Sequence, residues 1–150
     1  MKKSTVLLMA LFAATLAIPA AAQFAKPEDA IKYRKNALFV MAQNFGRVAG
    51  MASGKMPFDA KLAADSAATA AFVGKLPWAA FEPGTDSGDT KAKTEIWKEK
   101  TKFDEYASKT QSELDKLAVV AKTGNLENIK AAVSAVGGAC KSCHDDFRAK

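Results

Sequence analysis

The residues of this chain with the most chemistry in them stand together near its end: Cys140-Lys141-Ser142-Cys143-His144. Two thiols three residues apart, followed at once by an imidazole, form the Cys-x-x-Cys-His pattern. In it both sulfurs add covalently to the vinyl groups of a haem and the histidine ligates the iron. Residues three and four apart share a helix face. On a helix, Cys140, Cys143 and His144 would therefore hold a macrocycle edge and offer an imidazole to its centre. Other uses of the two thiols are short of partners. A zinc site takes about four ligands, and the chain has two cysteines and one histidine, all in this motif. A thioredoxin-like dithiol would sit near a βαβ pattern, which is absent, and a plain disulfide does not need the histidine.

The segment that carries the motif reads as an amphipathic helix. Leu126, Ile129, Val133, Val136, Cys140, Cys143 and Phe147 recur at alternating intervals of three and four, so the cysteines continue an apolar stripe. A haem attached there belongs to the core. Gly124 suits the end of the preceding helix and Asn125 the N-cap of this one. Gly137 and Gly138 either let the backbone approach a flat macrocycle or are merely tolerated. Arg148, four residues after His144, would lie one turn further on the same face. It either covers the proximal side of the iron or is a solvated cation near a helix end.

Three more helical patterns precede this one, so the expected fold class is all-α. Residues 27–51 place Ile31, Arg34, Leu38, Met41, Phe45 and Val48 on one stripe, with Pro27, Glu28 and Asp29 suited to the first turn. An alanine-rich helix opens near Pro57 or Asp59 and runs to Gly74, with Leu62, Thr69, Phe72 and Val73 expected inward. Residues 76–90 form a loop rich in Pro, Gly and Asp. Its Trp78 and Phe81 either pack on a haem edge or plug the end of the helices. A third long helix, 93–122, turns Ile96, Phe103, Ala107, Thr110, Leu114, Leu117 and Ala121 inward.

Placed near the C-terminus on the last of four helices, this motif resembles that of the cytochrome c′ family. The resemblance extends through the opening Phe24-Ala25-Lys26-Pro27-Glu28-Asp29-Ala30 and the stretch Leu76-Pro77-Trp78-Ala79-Ala80-Phe81. It implies an antiparallel up-down-up-down four-helix bundle with one covalent haem c per chain in its core. It implies Cys140 and Cys143 as the attachment residues, His144 as the axial iron ligand, and a homodimer through the first two helices. In the family an apolar side chain at the position matching Leu38 lies over the distal face and leaves the iron five-coordinate, with nitric oxide and carbon monoxide as ligands. Arg34 matches a haem-contacting arginine, while Lys35 departs from the glutamine expected beside it. By charge both suit the haem propionates, or else a solvated surface. Asp89 matches a loop position near the haem.

A sixth ligand would change the function. Methionine is the usual one in electron carriers, and Met41, three residues after Leu38, is the candidate for a low-spin alternative. Met41, Met51 and Met56 are equally readable as core filler. No paired carboxylates, Ser-His-Asp set or phosphate loop suggests an enzyme, and no second histidine is available as a peroxidase acid/base.

Residues 1–22 read as an export leader. Lys2 and Lys3 precede the uncharged apolar run from Val6 to Ile18, and Ala20-Ala21-Ala22 supplies a cleavage site. The run is shorter than the roughly 20 residues a membrane span needs. A mature chain would begin at Gln23 and form one domain, 23–150, in the periplasm, where the resemblance implies that haem c is attached. Without the leader's two lysines it carries 20 basic against 16 acidic residues, net +4. The charges are interspersed and no basic run carries interleaved aromatics, which argues against nucleic acid as a partner. An acidic redox partner remains compatible with the mild excess.

Overall fold

A computed structural model of the protein describes residues 23–150; the expected leader and its cleavage site lie outside the described residues. Four long helices account for most of it: α1 (Pro27–Ala52), α2 (Ala60–Val73), α4 (Lys100–Ala121) and α5 (Leu126–Phe147). A four-residue helix, α3 (Glu95–Lys98), precedes α4. Each long helix packs on the next in the chain, and α5 closes the ring against α1. The result is the four-helix bundle expected from the sequence. No helix among the described residues is long and apolar enough to cross a membrane.

The helix ends follow local chemistry. Pro27 stands in the first turn of α1, where its missing N–H loses nothing, and Glu28 and Asp29 face the positive end of the helix dipole. Asp59 caps α2 by accepting from Leu62 N at 2.9 Å, and Asn125 caps α5 by accepting from Asn128 N at 3.0 Å. Between α4 and α5 the chain turns at Gly124, whose φ of 67° lies in the left-handed region that glycine enters without penalty.

Two expectations are corrected. The third helix is not continuous: Glu99, at φ −111° and ψ 43°, separates α3 from α4. No Gly or Pro marks the break. Contacts on either side accompany it, with Ile96 buried while the neighbouring Trp97 donates its indole N–H to Glu82 O at 2.8 Å. The second correction is the inward face of α2. Ala63, Ser66, Ala67, Ala70 and Ala71 are buried, whereas Thr69, Leu62 and Phe72 are exposed, Phe72 at 70%. Small side chains let α2 lie close to both α1 and α4, so the largest side chains of this helix turn outward.

The core has two parts. Met41, Val48, Leu114, Leu117, Ile129 and Val136 centre the first, along the bundle axis. Phe81, Ile96, Phe103 and Phe147 centre the second, at one end.

Candidate functional site

Cys140, Cys143 and His144 sit in the last two turns of α5. Both thiols are free and half-buried. Cys140 packs against the axial core and Cys143 against the aromatic one, and Leu38 of α1 touches both. The three side chains therefore mark the junction of the two cores, beside the α1–α5 seam, which is the sparsest of the four helix–helix contacts in the ring. Burial pushes the Cys140 thiol up, and it pushes Cys143 up to about 11, helped by Cys140 and Asp146. Both are neutral thiols at physiological pH. Partial desolvation, together with the charge of Arg148, lowers the His144 pKa, so its imidazole is poised to offer a lone pair.

Gly137 and Gly138 stand one turn before the cysteines. A Cβ added to either would meet no atom within 4 Å beyond the local helix backbone. No protein neighbour among the described residues demands glycine at these positions, and a flat ligand has room beside them. Nowhere among the described residues do three or more His, Cys, Asp or Glu gather as metal ligands.

Arg34 is 2% exposed, which excludes the solvated alternative. Its Nη1 donates to Thr85 Oγ1 at 2.7 Å and Ala80 O at 3.1 Å, and its Nη2 to Thr85 O at 2.6 Å and Thr90 Oγ1 at 3.0 Å. The guanidinium also lies 4.4 Å from the Phe81 ring centroid. No carboxylate is among these partners, and burial lowers the Arg34 pKa. Lys35, next to it, donates to Asp89 Oδ2 and Asp89 O, which joins two residues singled out separately in the sequence.

Arg148 lies outside the helical register expected for it. α5 stops at Phe147, and Arg148 is extended, its N–H donating to His144 O at 3.2 Å, its backbone bridging Ala92. Met41 is buried with its sulfur 3.4 Å from where a Gly74 Cβ would stand, toward the end of α2. Leu38, rather than Met41, touches the same packing as both cysteines.

Trp78 and Phe81 are stacked on each other and both pack against Phe103. Sequence reasoning missed Trp97 and Tyr106, which join the same cluster. Large aromatics in otherwise polar helical stretches were the available signal. Thr85 and Thr90 carried none, because a threonine in a turn-rich loop is ordinary.

The family model described as Cytochrome C' matches residues 29–148. The chain is 51% identical over 129 residues to cytochrome c′ of Rubrivivax gelatinosus, covering 85% of this chain and 100% of that one. It is 43% identical over 128 residues to cytochrome c′ of Alcaligenes xylosoxydans xylosoxydans, covering 85% and 99%. The crystal structure of the Rubrivivax gelatinosus protein superposes with a TM-score of 0.82 at 51% identity, covering 85% and 100%. A nitric oxide complex of a leucine-to-alanine variant of cytochrome c prime from Alcaligenes xylosoxidans does so at 0.79 and 41% identity, covering 85% and 99%.

Proposed function

The chain belongs to the cytochrome c′ family, and from that premise we propose that it is a periplasmic haem protein that binds nitric oxide and carbon monoxide at an apolar distal site. The residues present fit one covalent haem c. Cys140 and Cys143 are free, neutral, and on the face of α5 that meets the core, with His144 beside them and open space at Gly137 and Gly138. Cys140 and Cys143 would hold the porphyrin through thioethers, and His144 would be the axial ligand. When bound, the haem supplies an iron that can change oxidation state and take a diatomic gas.

The single observation that carries the reading is the position of Leu38. It is the residue of α1 that packs against both cores, the axial one that Cys140 joins and the aromatic one that Cys143 joins, and an aliphatic side chain offers neither a lone pair to a metal nor a hydrogen bond to a ligand. A haem iron held by His144 would then be left five-coordinate and high-spin. Dioxygen, which gains from a donor as charge builds on it, is disfavoured relative to nitric oxide and carbon monoxide. Arg34, Lys35, Asp89 and Arg148 complete the proposed surroundings, the first three through the 80–90 loop and Arg148 by its charge near His144.

Export, a mature start at Gln23 and a single 23–150 domain belong to the same reading, supported by the composition of residues 1–22. So does a homodimer: among the described residues, except for Val119, the exposed large apolar side chains lie on α1, on α2 or in the segments flanking α2. No residue is assigned to catalysis.

The test is the visible spectrum of the purified ferrous protein before and after carbon monoxide. A high-spin spectrum that converts to a six-coordinate carbonyl spectrum is expected. Low-spin bands indifferent to the gas would instead mean a sixth protein ligand, with Met41 the first to replace, and an electron carrier.

A further inference from the structure

Residues 82–93, between Phe81 and α3, are fastened at both ends to elements that flank the site. At the α1 end the anchors are Arg34, on Thr85 and Thr90, and Lys35, on Asp89. Both belong to the turn that precedes Leu38. At the α5 end the chain runs antiparallel to the C-terminus: Lys93 N donates to Phe147 O at 3.0 Å, Ala149 N donates to Lys91 O at 2.8 Å, and Ala92 bridges Arg148.

The Lys93 ammonium reaches further back. It donates to Asp146 O at 2.9 Å and Asp145 O at 3.2 Å. These are carbonyls of the last turn of α5, which a helix leaves without internal partners. A cation there also opposes the negative end of the helix dipole. The Asp146 side chain is held as well, since its Oδ2 accepts from Tyr106 Oη at 3.0 Å and from Lys102 Nζ at 2.9 Å. α5 ends without a glycine cap, and another part of the chain supplies the cap instead. The turn treated this way is the one that presents His144.

We infer that residues 82–93 form a strap joining the Leu38 side of the site to the His144 side, and that Lys93, and Tyr106 acting through Asp146, are positioning residues for the His144 imidazole. The inference rests on the haem reading above. Lys93 holds the carbonyls of the two residues that follow the histidine, and Tyr106 holds the carboxylate of the second of them.

The experiment uses the haem-loaded full-length mature protein and reads the iron–histidine stretching band of the ferrous state by resonance Raman. A haem-stained gel and a thermal melt accompany it. Lys93→Met and Tyr106→Phe are each expected to shift and broaden the band. Lys93→Arg, which can still donate to two carbonyls, should return it toward the original position. Thr90→Val, at the far end of the strap, should move the same band although it lies on the α1 side. Lower melting temperatures with an unchanged band in Lys93→Met and Tyr106→Phe would reduce the network to a structural brace and overturn the inference. Should Lys93→Met not fold, Tyr106→Phe, which removes one hydroxyl, decides alone. Wild-type protein without haem stain would overturn the haem reading itself, an outcome distinct from a loaded protein whose band does not move.

Discussion

Arg34 and Leu38 lie four residues apart on one stripe of α1 and have opposite physical demands. A buried guanidinium must find acceptors, and Arg34 finds four, on Ala80, Thr85 and Thr90. Replacing it by methionine leaves the Thr85 and Ala80 carbonyls without their donors. We expect a stability loss of about 3 kcal/mol, read as a lower urea midpoint with an unchanged slope. Leu38 demands only packing. Shortening it to alanine removes the aliphatic cover from the junction of the two cores, and carbon monoxide should then bind the ferrous protein about tenfold faster, a barrier change of about 1.4 kcal/mol. Stopped-flow mixing measures it, and an unchanged rate would remove the distal role from Leu38. An arginine on an apolar stripe was visible as an anomaly in the sequence. Its partners were not, because three loop residues 46 to 56 positions away become neighbours only when the loop folds back.

Among the elements, α5 was the most legible. Every residue of its 3,4 stripe from Leu126 to Phe147 is buried or half-buried, because large apolar side chains dominate that face. α2 was misread for the converse reason: alanine appears on all its faces, and bulk was taken for the inward side. The close approach at the end of α2 has a testable consequence. A Cβ on Gly74 would stand 2.7 Å from Leu114 Cδ1 and 2.8 Å from Ala70 O, and the backbone oxygen cannot yield cheaply. Gly74→Val should destabilise by about 1–3 kcal/mol, seen as a lower melting temperature. On α4, Glu113 is buried between Lys109 Nζ at 2.7 Å and Lys116 Nζ at 3.0 Å, and these hydrogen bonds lower its pKa. A carboxyl whose folded value is depressed adds stability above its unfolded value, about 4.3, and loses it as pH falls through the folded one. The stability advantage of wild type over Glu113→Gln should therefore be present at pH 7 and shrink toward zero below about pH 4, as followed by denaturation across pH.

For the whole molecule, the outward Phe39 and Phe72, 63% and 70% exposed, give α1 and α2 an apolar exterior that a lone bundle leaves in water. Phe72→Asp should halve the sedimenting mass if that exterior is the dimer contact; an unchanged mass would place the contact elsewhere. The all-α class, the approximate spans of α1, α2 and α5, the Asp59 and Asn125 caps and the Cys-x-x-Cys-His face were determined by the sequence alone, because each depends on residues within a turn or two of one another. The family resemblance, with charge and helical spacing beside it, listed Arg34, Lys35, Leu38, Asp89 and Arg148 one by one. Their grouping required the tertiary structure. It set Lys35 on Asp89, buried Arg34 in the loop, turned Arg148 out of the helix onto Ala92, and brought Lys93 and Tyr106 to the last turn of α5. Periodicity specifies which face of a helix is apolar. Which distant carbonyl, ring or carboxylate meets that face is decided only when loops of irregular backbone find the acceptors that packing has left open.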